Sequence, residues 1–159
     1  MRTQTITLSL LAALCSSVSA LAFNGTGQLR TVYNRPPHDD LGCLTKDGKW
    51  TVDEPLCGVF TAVRTGNYND YTLSAEGSGP CGIDHIYFTC GEGVTPRIFS
   101  TWGDNVPAPG LTVLRVGQYG VFATDAPDSP PPPGAEPLRI HFYSASEKGK
   151  YAWLGWKEL

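Results

Sequence analysis

Long amphipathic helices are missing from this sequence. After the first twenty residues, so is any apolar run of the about 18 residues that a membrane helix needs. Only 17% of the residues are charged and the formal net charge is −3, so no global field draws the chain to nucleic acid or an anionic membrane. RNA binding would need a local patch. No Cys-x-x-Cys pair occurs, which removes the usual zinc spacings. Histidine is scarce, with His38, His85 and His141 the whole supply, and none is followed by glycine. Nothing here calls for a metal or a cofactor.

What is present first is an N-terminal export pattern. Met1-Arg2 supplies one positive charge, Ile6 to Leu14 is a short apolar run, and Val18-Ser19-Ala20 offers small residues to a signal peptidase. Residues 1–20 are therefore expected to be a signal peptide and residues 21–159 a single domain of ordinary size. Cys15 would leave with the signal. Cys43, Cys57, Cys81 and Cys90 then remain as an even set suited to an oxidising compartment. The expectation is a secreted monomer, extracellular or vacuolar, with no membrane contact. Asn24-Gly25-Thr26 is a glycosylation acceptor just after the expected cut.

Eighteen glycines and thirteen prolines punctuate short alternating runs, because both residues break helices and serve turns. Strands are expected over Gln28–Tyr33, Gly42–Leu44, Lys49–Val52, Gly58–Val63, Tyr71–Ala75, His85–Thr89, Arg97–Trp102, Leu111–Val116, Tyr119–Ala123, Leu138–Tyr143 and Tyr151–Trp156. Turn signals fall between them at Asp47-Gly48, Gly66-Asn67, Gly77-Ser78-Gly79, Gly103-Asp104-Asn105 and Gly117. The fold class is all-β, a small disulfide-stapled barrel or sandwich of short antiparallel strands. Four cysteines allow three connectivities. Local pairing, Cys43 with Cys57 and Cys81 with Cys90, is the expectation, and each loop of this size contributes about 2 to 3 kcal/mol. Pro130 to Pro133 before Gly134 reads as a stiff surface loop.

The chemistry-bearing residues are sparse. Arg139, His141 and Tyr143 alternate with Ile140 and Phe142 and so share a face. A hairpin closed by Ser144 to Lys150 would add Tyr151 and Trp153 to that face, with Ile140, Phe142, Leu154 and Trp156 pointing inward. Exposed rings of this kind stack on sugars or unpaired bases, whereas the favoured alternative for Trp102, Trp153 and Trp156 is that they fill the core or pack across strands. His85 and His141 are the weak catalytic candidates, and Glu76, Asp84 and Glu92 are carboxylates in loops. His38-Asp39-Asp40 has ligand-type residues but reads as a solvated turn.

Around the cysteines the chain takes on a family look. Gly42-Cys43-Leu44, Gly48-Lys49-Trp50 and Cys57-Gly58-Val59-Phe60-Thr61-Ala62 resemble the β-rich C-terminal domain that follows the catalytic domain in some fungal ribonuclease T2-like proteins. The likeness continues through Tyr71-Thr72-Leu73-Ser74, Cys81-Gly82-Ile83 and Phe88-Thr89-Cys90, and extends over Gly117 to Ala123 and Trp153 to Leu159. It implies a secreted accessory domain produced alone. Ribonuclease T2 catalysis needs a base for the ribose 2′-hydroxyl, an acid for the leaving oxygen and a cation for the phosphorane. The family supplies them from a Trp-Pro and His-Gly segment and from a segment with Glu, Lys and His-Gly. Neither occurs in these 159 residues, so no catalytic residue carries over. The leading expectation is a non-catalytic domain that binds carbohydrate, a cell-wall component or a protein partner. The alternatives are a divergent secreted endoribonuclease acting on RNA and an effector-like secreted protein.

Overall fold

The computed structural model describes residues 23–33, 37–66, 69–101, 112–117, 121–124, 129–143 and 152–159, with the backbone alone at 121–124 and 143. Residues 1–20, where a signal peptide is expected, Trp102, the turn expected at Gly103-Asp104-Asn105, the expected Ser144 to Lys150 connection and Tyr151 lie outside it. Twelve strands run through the described residues: β1 (Gly25–Tyr33), β2 (Asp40–Leu44), β3 (Trp50–Thr51), β4 (Phe60–Arg64), β5 (Asp70–Ala75), β6 (Gly79–Asp84), β7 (Tyr87–Cys90), β8 (Phe99–Thr101), β9 (Val113–Arg115), β10 (Val121–Thr124), β11 (Ile140–Tyr143) and β12 (Ala152–Glu158). The described residues hold no α-helix, only a 3-10 turn at Glu54–Leu56. No helix among them is long and apolar enough to cross a membrane.

The pairings close on themselves. Strand β1 pairs with β4, β4 with β5, β5 with β8, β8 with β9, β9 with β12, and β12 returns to β1, every step antiparallel. The result is a six-stranded barrel. Strands β6, β7, β11 and β10 arch from β5 over to β12, and β2 and β3 flank β1. Strand β1 serves two neighbours on one edge. Gly25, Thr26 and Gly27 pair with β4, then Arg30 and Val32 pair with β2, with a shift in register between those two residues. Closure leaves few unpaired backbone groups for another chain to extend.

Alternation explains what fills the barrel. Phe60 and Ala62 on β4, Tyr71, Leu73 and Ala75 on β5, and Ala152, Leu154 and Trp156 on β12 all turn inward and join one core with Phe23, Leu29, Phe88, Phe99, Leu114 and Ile140. Leu154 and Ile140 are fully buried, and each side chain of this size contributes about 2 to 3 kcal/mol of transfer free energy. Eleven of the twelve strands coincide with the alternating runs of the sequence. The exception is β6, whose Gly79, Pro80 and Gly82 dilute the strand signal. Gly82 is there for space: a Cβ would collide with the Thr95 carbonyl oxygen.

Both disulfides join the local pairs, Cys43–Cys57 and Cys81–Cys90. The second spans directly opposed positions of the β6–β7 ladder. The Asp47-Gly48 turn caps this ladder. The Cys90 N–H donates to the Asp47 carbonyl at 3.3 Å, and Gly48, at φ +86°, leaves room for the Phe88 ring that any Cβ would meet at 2.7 Å. The proline-rich loop is also tied down. The Gly134 N–H donates to the Asp53 carboxylate at 2.9 Å, and Trp50 and Leu138 exchange two backbone hydrogen bonds.

Candidate functional site

One expectation about strand order is overturned. Strands β11 and β12 do not form a hairpin, because β10 lies between them. Strand β10, which directly precedes β11 in the chain, takes the place beside β12, an order that local turn signals do not report. In the backbone register Tyr143 and Trp153 both stand opposite Val121, one on each side, while the Tyr143 side chain and all of Tyr151 lie outside the described residues. One row further, Asp84 faces Tyr87, Tyr87 faces His141, and His141 faces Ala123. Opposed residues of an antiparallel ladder project to one side, so Asp84, Tyr87 and His141 share an outer face across β6, β7 and β11.

The side chains on that face differ sharply in access. Arg139 is exposed, and its guanidinium carbon lies 4.1 Å from the centroid of the Tyr87 ring. His141 meets the same ring edge-on, with centroids 5.8 Å apart and planes at 83°. Tyr87 is half-buried, and Ile86 beside it is exposed. His141 is only 6% exposed and Trp153 only 7%. The ring of His38 stacks on Trp153 at 5.5 Å and 19°. Trp153 is therefore covered rather than displayed, which fits the packing alternative and not the open platform. His38 is correspondingly no free turn: at φ +63° its Nδ1–H donates to the Tyr33 carbonyl at 3.1 Å.

The two catalytic candidates sit in unlike settings. His85 occupies the turn between β6 and β7, at φ +54°, with its side chain 88% exposed and its Nε2 3.9 Å from Asp84 Oδ1. His141 is sealed on a strand, leaving little surface to meet a ribose hydroxyl. Glu76 and Glu92 are exposed on separate turns. Among the described residues, no three His, Cys, Asp or Glu side chains converge as metal donors.

A polar cluster that the sequence reading missed lies on β1. Arg30 is 7% exposed, yet it makes a two-point contact with Glu54, Nη2 to Oε1 at 2.6 Å and Nη1 to Oε2 at 2.9 Å. It also donates from Nη2 to Asp40 Oδ2 at 2.8 Å, while Asp40 Oδ1 accepts the Gly42 N–H at 2.9 Å. Its Nη1 reaches to 3.5 Å from Cys57 Sγ. One guanidinium thus ties β1, β2 and the 3-10 turn beside the first disulfide. The hydrogen bond to Arg30 holds the Glu54 carboxyl below its ordinary range, and the Arg30 charge is reinforced first by that same bond.

The comparison with protein families bears on all of this. A model described as the RNase T2-like C-terminal domain matches residues 21–129, more than half of the chain. The chain belongs to that family. No curated protein and no solved structure matches it. The matched span takes in both disulfides, the Arg30 cluster and Tyr87 of this RNase T2-like C-terminal domain. Arg139, His141 and Trp153 lie beyond it, as does β12, which closes the barrel. Tyr87 was not singled out from sequence. Its alternation with His85 and Thr89 was visible, but its partners come from a strand fifty residues downstream.

Proposed function

We propose that this RNase T2-like C-terminal domain is a secreted, non-catalytic binding domain, that its contact surface centres on Arg139 and Tyr87, and that its ligand is a cell-wall-type carbohydrate. The observation that carries the reading is the exposed guanidinium lying 4.1 Å over the Tyr87 ring. Stacking holds the planar fork of N–H donors at a fixed angle before any ligand arrives. Donors presented in one plane suit adjacent sugar hydroxyls, and the apolar edges of Ile86 and Tyr87 suit the C–H faces of a pyranose. Little ordering entropy is then lost on binding. The buried His141 and the exposed, separately placed His85 favour binding over acid–base chemistry. Two disulfides and the export-type segment at residues 1–20 support secretion.

The test is retention of the oxidised protein on insoluble chitin, glucan and cellulose, with RNA cleavage measured in parallel. Retention on at least one polymer is expected, falling at least tenfold in Tyr87→Ala and Arg139→Ala variants with unchanged circular dichroism. Metal-independent RNA cleavage that disappears in His85→Ala or His141→Ala would replace this reading with a ribonuclease. Absence of both activities would move the ligand to a protein partner.

A further inference from the structure

We infer that Asn24 is an N-glycosylation site and that the folded domain carries an oligosaccharide at the rim of the barrel where β1 begins. The inference shares the secretory route with the proposed function and is independent of the ligand. Asn24-Gly25-Thr26 is the only Asn-x-Ser/Thr triplet in the 159 residues, and its middle residue is not proline. All three residues are exposed. Immediately before them Phe23 is 1% exposed, its ring 5.1 Å from Tyr71 and 4.6 Å from Trp156. The chain therefore surfaces between a buried anchor and the start of a ladder, which holds the acceptor outside the core.

The surroundings leave room for a sugar. Gly25 adopts φ +84°, and a Cβ built there would meet nothing within 4 Å. Across the ladder Gly25 stands opposite Ala62 and Thr26 opposite Thr61. The outward neighbours Thr61 and Val63 are exposed as well. Three steps along the sheet, through β5 and β6, separate β4 from β7, so a glycan at Asn24 leaves the Tyr87 face open.

Topology also gives the modifying enzyme time. Thr26 accepts from the Leu159 N–H at 3.1 Å, and Gly27 stands opposite Glu158. The barrel cannot close over the acceptor segment until the last strand has been made, so a membrane-bound transferase meets the triplet in an unpaired chain. The co-reactant is a lipid diphosphate-linked oligosaccharide. Asn24 Nδ2 bonds to the anomeric carbon, the anomeric carbon–oxygen bond breaks, the lipid diphosphate leaves with the electron pair, and one amide proton passes to a base.

The full chain expressed through a eukaryotic secretory pathway tests this. Peptide-N-glycosidase in heavy-oxygen water is expected to lower the mass of the secreted protein by one oligosaccharide and to leave labelled aspartate at position 24. The heavy oxygen separates this from deamidation at Asn24-Gly25 that preceded the digest, and a parallel incubation without the glycosidase accounts for any that occurs during it. Asn24→Gln and Thr26→Ala should lack the mass change, and Thr26→Ser should keep it. Native protein with an unmodified Asn24 peptide, whether secreted or retained, overturns the inference, as does a mass change that persists in Asn24→Gln. Polymer retention by unglycosylated protein would show that the binding reading stands without it.

Discussion

Arg30 lies with Thr31 between the buried Leu29 and Val32, and its burial makes it answer to two carboxylates at once. Arg30→Met should lower stability by about 2 kcal/mol, because charge-assisted hydrogen bonds of this sort contribute that much when one partner is buried. Urea unfolding at neutral pH checks this. Glu54 is half or more exposed, so solvent screens its share, but the sign of its pH dependence is fixed. Its carboxyl is lowered below 4.5 on folding. The stability it contributes is thus present above that value and lost as pH falls through the folded value. Glu54→Gln should flatten the decline in melting temperature below about pH 5; an unchanged acid slope would contradict it. A lone arginine in a strand was legible as an oddity. Its partners were not, since Asp40 and Glu54 reach it only through the β1–β2 register and the 3-10 turn. The same limit applies to Tyr87, whose strand was visible and whose contact with Arg139 was not.

At the scale of elements, the disulfide ribbon of β6 and β7 rests on a ladder, a cross-strand bond and the cap from Asp47-Gly48. Replacing both Cys81 and Cys90 by serine should cost about 2 to 3 kcal/mol, the loop-closure value for so short a ring. Gly82→Ala should cost about 1 to 3 kcal/mol by overpacking against the Thr95 carbonyl, read as a lower melting temperature with both disulfides intact. A Gly82→Ala protein as stable as the native one would mean that the 91–97 segment yields freely. Alternation located nearly every strand because inward and outward positions are distinct along strands such as β4 and β5. Strand order was hidden, because β10 slots between β11 and β12 through connections that carry no pairing code.

For the whole molecule, closure depends on the longest-range strand pairing among the described residues, β1 against β12. Leu154 is fully buried at that seam, and Leu154→Ala should cost about 2 to 5 kcal/mol. Amides of β1 and β12 should then exchange together in both proteins, faster in the variant, as expected for a cooperative barrel. The barrel also sets where the candidate surface can be. It turns Ile140, Leu154 and Trp156 inward and leaves Arg139 and Tyr87 on the outside of the arch, with Trp153 covered by His38. The most direct test is a nuclear magnetic resonance titration of the oxidised protein with soluble oligosaccharides of the polymer that retains it. The account predicts shift changes grouped on Ile86, Tyr87 and Arg139, with the sugar recovered unaltered. Changes confined to other faces, or cleavage of the added ligand, would contradict it.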